Sequence, residues 1–339
     1  MTTVTVYRSS DASAPSLTGQ AGGLITVLDA CLVNGYGSQA NAGWTKSFSG
    51  TNKAAYRNSA TDGTGFYLHI DDTGTNNTAK EALMTGFETM SGIDTGTGQF
   101  PTAAQVNLFA GSVTGGVVCR KSTTADSTVR NWTLVADDTV FYFFAETGDV
   151  TNPVAAYSFS FGDIFSYKSS DAYRCHINGR AQANNSNTTN DVWGTVVNPS
   201  SGTSLATQQA GHYMPRTWTA VGGSIQVGKH SDAFKLGVGT NNSSYGYGAA
   251  VTYLPYPNGP DGGLYLAPVW IHHTNAVRGY FKGLWCPCHY LPLNHNDTYS
   301  GTGNLAGKSF VVQNIISSSP GSNLVVGGQV HIETSSTWS

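Results

Sequence analysis

The sequence predicts a mainly β fold, a sandwich or barrel with long Gly/Ser/Asn-rich loops and one N-terminal helix over about residues 21–34. Three observations carry that expectation. Most apolar segments alternate in polarity with period two, the spacing of a strand buried on one face. Turn-forming residues abound, with 41 Gly in the 339-residue chain. A single segment shows convincing helical spacing instead.

Taken in order, residues 2–8 alternate Thr and Val up to Tyr7 and read as the first strand. In 21–34, Leu24, Leu28 and Leu32 recur every four residues, with Ile25 and Val27 beside them. Thr18 stands ahead as a capping residue, and Gly35 and Gly37 stand behind as stops. The stripe is that of a helix packed on the end of a sheet. Residues 65–70 put Phe66, Leu68 and Ile70 on one face and turn at Asp71, Asp72 and Gly74. Residues 79–89 and 102–108 are further helix candidates. Residues 132–135 and 139–145 read as a hairpin closed by Asp137 and Asp138. Tyr157, Phe159 and Phe161 alternate with small residues in 155–161. Later strands are expected at 224–227, 264–271, 278–285, 308–312 and 330–333. The polar stretches 181–190 and 237–248 read as surface loops. The chain is treated as one β-rich unit over 1–339, and a division into two domains would fall near 181–211. No repeat of fixed period is visible.

Composition narrows the function classes. Asp, Glu, Lys and Arg make up only 11% of the chain, against roughly 25% in soluble globular proteins. The net charge is −3, and the longest run of basic residues is the pair Arg120 and Lys121. Binding nucleic acid through its phosphates needs a concentrated basic face, so no nucleic-acid partner is expected. No apolar run approaches the roughly 20 residues that span a bilayer, so no membrane insertion is expected. The first residues read as a strand and not as a signal peptide. The five cysteines, Cys31, Cys119, Cys175, Cys286 and Cys288, are odd in number. They are expected to be reduced and buried, as in a protein made in a reducing cytoplasm.

Candidate chemistry is sparse. Cys286, Cys288 and His289, with His272, His273 and His295 nearby, are the densest set of zinc-ligand types. One residue between two cysteines suits a tetrahedral ion poorly, and the pair fits a core strand better, so no metal and no cofactor are expected. The stretch from Gly301 to Ser309 misses the phosphate-loop register, because Thr302 stands where that loop needs Gly. Glu is scarce, and the Asp residues sit mostly in turn settings, where the side chain bonds its own backbone. There is no Gly-x-Ser-x-Gly pentapeptide. Aromatic residues crowd the last third: Tyr245, Tyr247, Tyr253, Tyr256, Tyr265, Trp270, Tyr280 and Trp285. Neutral hydrogen bonders flank them. Tyr245, Tyr247, Tyr256 and Trp270 are therefore the candidate binding residues, either for a subunit contact or for a glycan.

Six stretches resemble virion-associated proteins of tailed bacteriophages. They are Tyr7-Arg-Ser-Ser-Asp-Ala12, Leu28-Asp-Ala-Cys-Leu-Val-Asn-Gly-Tyr-Gly37, Trp44-Thr-Lys-Ser-Phe-Ser-Gly-Thr-Asn-Lys-Ala-Ala-Tyr-Arg57, Phe161-Gly-Asp-Ile-Phe-Ser-Tyr-Lys-Ser-Ser-Asp-Ala-Tyr173, Asp261-Gly-Gly-Leu-Tyr-Leu-Ala-Pro-Val-Trp270 and Arg278-Gly-Tyr-Phe-Lys-Gly-Leu-Trp285. They are spread over most of the chain and are packing and turn motifs, with no chemistry to carry over. The resemblance implies a structural role in a phage particle without fixing head, neck, tail or baseplate. The expected function is a non-enzymatic structural component of the virion, with tail, neck or baseplate placed ahead of capsid decoration. The implied partners are other virion proteins and copies of the chain itself. A host-surface glycan-binding module is the second function class, and a polysaccharide-degrading enzyme the third. Low charge agrees with the first, because neutral polar groups lose less on desolvation at a subunit contact.

Overall fold

The structure is a computed structural model that describes residues 3–74, 79–106, 115–148, 157–180, 210–230, 264–273, 276–287, 293–316, 326–335 and 337–338. The strands of its first part are β1 (Thr5–Arg8), β2 (Thr45–Gly50), β3 (Lys53–Arg57), β4 (Tyr67–Asp71), β5 (Glu81–Phe87), β6 (Thr89–Gly92), β7 (Thr95–Thr97), β8 (Val117–Arg120), β9 (Asn131–Ala136), β10 (Val140–Glu146) and β11 (Tyr157–Asp163). There follow β12 (Phe165–Ser166), β13 (Cys175–Arg180), β14 (Ala210–Met214), β15 (Ile225–Gln226), β16 (Gly228–His230), β17 (Leu266–His273), β18 (Ala276–Pro287), β19 (Thr298–Ser300), β20 (Ser309–Ile316) and β21 (Val326–Glu333). The helix α1 runs as an α-helix over Gly23–Leu28 and continues with π geometry over Asp29–Asn34.

The fold is mainly β, as the alternation predicts. A first sheet has the order β1-β9-β10-β11-β13-β8-β5-β4-β3-β2, with β14 and β15 extending from β13. A second has the order β16-β17-β18-β21-β20-β19, with β12 also on β18. The pair β6–β7 stands apart as a short ribbon. The pairings are antiparallel, which lets near neighbours in sequence join through tight turns.

The first sheet curls around α1. Leu24, Val27, Leu28, Cys31 and Leu32 share one core with Tyr56, Leu68 and Met84 from one end of the sheet and with Leu134, Phe141, Phe143, Phe159 and Phe161 from the other. Trp44 closes the gap between the ends. Its ring meets Phe141 edge-on at 5.4 Å, and its Nε1 donates to the Asp137 carbonyl at 2.8 Å. The apolar face of the helix is thus covered by strands from both ends of the sheet, while Thr26 and Asn34 stay exposed. At its start, the Leu24 amide donates to Asp72 Oδ2 at 2.9 Å, so a carboxylate from the end of β4 satisfies an amide that the helix itself leaves open.

The second sheet packs on the opposite face of the same strands. Val135, Val140, Tyr142 and Phe144 join Val269, Ile271, Phe281, Leu284, Val311, Ile315, Val330 and Ile332 in a second core. This explains the unbroken apolar run Val140–Phe144: β10 is buried on both faces, so its alternation of polarity disappears. Trp338 completes this core against Tyr142 at 5.6 Å. It lies over Gly283, whose φ of 65° and whose 2.1 Å from a built Cβ to Trp338 Nε1 leave no room for a side chain.

Residues 79–89 are not a helix. Glu81–Phe87 is strand β5, paired on one side with β4 and on the other with β8. Its Ala82 and Met84 face the first core, and this tertiary packing overrides the helical propensity of Glu-Ala-Leu-Met. Of the 102–108 candidate, Ala103–Val106 is one helical turn, and the residues after 106 lie outside those described. So do both predicted polar loops and the 181–209 part of the boundary region; β13 and β14, on either side of it, pair with each other.

Candidate contact face

The solvent side of the second sheet carries the site. Along β17 the burial alternates: Ala267, Val269 and Ile271 are buried in the core, while Leu266, Pro268, Trp270 and His272 are half-buried, with Trp270 still packed against that core. The cross-strand register aligns Trp270 with Tyr280 of β18 and Tyr280 with Phe165 of β12, so three rings form one row across three strands. Phe165 and Tyr280 stack at 4.6 Å with planes 20° apart. Tyr167 stands edge-on to both, at 5.8 Å from Phe165 and 6.0 Å from Tyr280. Trp270 Nε1 donates to the Tyr167 hydroxyl at 3.3 Å. Tyr167 is 57% exposed and Phe165 37%. Val277 and Tyr265 are exposed as well.

Two features hold this row in place. Phe165 can lie beside β18 only because residue 279 is Gly: a Cβ there would sit 1.8 Å from the Phe165 carbonyl oxygen. The loop after β12 is anchored from beneath by a buried ion pair. Arg278 Nε and Nη2 donate to the two Asp171 carboxylate oxygens at 2.9 and 3.0 Å. Arg278 also reaches the Arg216 carbonyl at 2.6 Å and the Tyr173 carbonyl at 2.8 Å. Asp171 Oδ2 further accepts from Ser166 Oγ, and Arg216 pairs through two hydrogen bonds with Glu88. The bidentate geometry and the extra bonds satisfy the buried charges. Phe165 and Tyr167 therefore belong to a fixed element and not to a loose loop.

Behind the row, the two sheets meet through a polar layer. His176 and His212 lie 5.6 Å apart, and Phe281 of β18 packs on them at 4.8 and 5.1 Å. His176 Nε2 contacts Ser160 Oγ at 2.9 Å. Burial pushes His176 down to about 3 and holds His212 well below the ordinary imidazole value, with the Lys229 cation adding to both shifts. Both rings are neutral at physiological pH.

Trp270 is the one predicted binding residue that the structure places in this face; Tyr245, Tyr247 and Tyr256 lie outside the described residues. Phe165 and Tyr167 were not singled out. Their alternation around Ser166 is a sequence signal, but only the pairing of β12 with β18 reveals that it reaches Tyr280. Of the weak metal candidates, Cys286 is buried in the second core, while Cys288 and His289 lie outside the described residues. His295 accepts from the Asn314 amide at 3.1 Å and lies 3.4 Å from Glu146. Among the described residues, no group of three or more His, Cys, Asp and Glu is placed to hold a metal ion. The acidic turn at 137–138 is turn chemistry: Asp137 Oδ1 accepts from the Thr139 and Val140 amides at 2.7 and 2.8 Å. No helix among the described residues is long and apolar enough to cross a membrane. No family model matches the chain, and no curated protein matches it.

Proposed function

We propose that the chain is a non-enzymatic structural component of a tailed-phage virion, and that the row of Phe165, Tyr280 and Trp270, with Tyr167, is a contact with other virion proteins or with copies of itself. One observation carries this reading. Residues 161–173, 264–270 and 278–285, which belong to three of the stretches that resemble phage virion proteins, meet in this face. Two of their charged residues, Asp171 and Arg278, hold it in place. Tyr and Trp rings in a rigid setting supply contact area at low entropic cost. Tail, neck or baseplate stands ahead of capsid decoration in this proposal.

The ring geometry favours a protein partner over a sugar. One face of Phe165 and one face of Tyr280 are taken up by each other, so the pair does not offer both ring faces as flat plates. The test is incorporation. Mass spectrometry of purified particles should find the chain at a copy number set by symmetry, and Tyr167→Ser with Phe165→Ser should lower that number. Absence of the wild-type chain from particles overturns the proposal. Retention of the isolated chain on host cells, lost in Tyr167→Ala or Trp270→Ala, would put the host-surface reading in its place.

A further inference from the structure

The geometry points to an intramolecular amide bond between the Lys121 side chain and the Asp72 side chain, made by the fold itself without any co-reactant. This inference stands apart from the proposed function, since it needs no partner.

Asp72 directly follows β4 and Lys121 directly follows β8, the two strands that flank β5. The Asp72 amide is held by the Asn52 carbonyl at 2.9 Å and the Lys121 amide by the Lys80 carbonyl at 2.9 Å. Both backbones are therefore fixed, and both side chains are fully buried. Lys121 Nζ is in direct contact with Asp72 Oδ1. Its other bond goes to the Gln20 carbonyl at 2.6 Å. Asp72 Oδ2 faces the start of α1, where the Leu24 amide donates at 2.9 Å and the Ile25 amide also bonds the carboxylate.

Each part has a chemical use. Burial lifts the Asp72 carboxyl to about 6, which brings its protonated form within reach near neutral pH. A buried ion pair can relax by moving one proton from ammonium to carboxylate, leaving a neutral amine against a neutral acid. The amine lone pair then attacks Cγ and the C–N bond forms. Negative charge develops on Oδ2, where the Leu24 and Ile25 amides already point, an arrangement that stabilises such an intermediate. A proton from nitrogen passes to Oδ1, the Cγ–Oδ1 bond breaks, and that oxygen leaves as water. The balance is one ammonium and one carboxylate giving one secondary amide and one water, with nothing oxidised or reduced. Holding the reacting groups in contact supplies the rate that free lysine and aspartate lack. A pocket lined by Gln20, Gly22 and Gly23 lies beside the helix start.

The intact mass of the purified full chain, measured under denaturing conditions, decides. The expected value is one water below the sequence mass. A tryptic digest should contain a branched species joining the peptide with Asp72 to the peptide with Lys121, with no cleavage after Lys121. Lys121→Met should restore the full mass. Asp72→Asn should still form the link, now by loss of ammonia, and so match the mass of the linked wild type. A wild-type chain at full sequence mass after prolonged incubation overturns the inference. So does a deficit that maps to a cyclised aspartate within one peptide, as at Asp62-Gly63. The wild-type measurement suffices even if the variants fold poorly.

Discussion

The two faces of β9–β11 face different worlds. On one, Phe141, Phe143, Phe159 and Phe161 meet a helix and strands from the first half of the chain. On the other, Val140, Tyr142 and Phe144 meet strands from residue 266 onward, and the two histidines lie in the same inter-sheet layer. The first core is apolar around a helix whose start is held by a carboxylate. The second combines apolar packing with neutral polar groups, and its outer surface carries the exposed rings of Phe165 and Tyr167. The difference teaches that one set of strands does two jobs: it covers the apolar face of its own helix, and it serves as the bed for a second sheet whose outer side carries a row of rings.

The largest effect should come from the anchor of the contact face. Arg278→Ala strands the Asp171 carboxylate in the interior and should cost about 3–5 kcal/mol, read as a shift in the urea midpoint. A cost below about 1 kcal/mol would mean that the face does not depend on this pair. Acid should distinguish the cores next. His176 and His212 bind a proton less readily folded than unfolded, so their contribution is intact above the unfolded value of 6.5 and is lost as pH falls below it. The buried carboxyls Asp137 and Asp163, whose values are raised by burial, work in the opposite sense. The clean readout is therefore a difference: the advantage of wild type over His212→Gln should narrow by about 2 kcal/mol between roughly pH 7.5 and 5. An unchanged difference would place His212 outside the inter-sheet layer.

Smaller still is Tyr142→Phe. It removes the hydroxyl that donates to the Lys282 carbonyl at 2.7 Å and should cost about 1 kcal/mol. Smallest in stability is Tyr167→Ser, within about 0.5 kcal/mol because the ring is exposed. Its effect should appear only in particle incorporation. If Tyr167→Ser instead lowered the thermal midpoint as much as Arg278→Ala, the row would be a structural element and not a contact.

Much of this was legible in the chain. The segments at 65–70, 132–135, 139–145 and 264–271 coincide with strands β4, β9, β10 and β17 to within a few residues, and the Leu24/Leu28/Leu32 stripe falls on the helix. What was not legible depends on distant partners. Glu81–Phe87 spells a helix locally, and only β4 and β8 on either side make it a strand. β2 and β3 carry one large apolar residue each, Phe48 and Tyr56, among small, hydroxyl and basic residues, which leaves little alternation to read. In the site, Trp270 and Tyr280 stood out among the aromatics. Phe165 and Tyr167 did not, because their value comes from the contact of β12 with β18, and the pairing of Asp171 with Arg278 spans 107 positions. No local pattern encodes such a pairing.

The covering of α1 has a consequence for the order of events in folding. Its six α-helical and six π-helical residues are too few to persist alone in water. The strands that cover their apolar face extend as far as β14, which leaves the ribosome long after they do. The segment must therefore wait as loose chain until that cover arrives. Once it is in place, the amides on the covered side, such as those of Leu28 and Leu32, should exchange with solvent more slowly than those near the exposed Thr26 and Asn34.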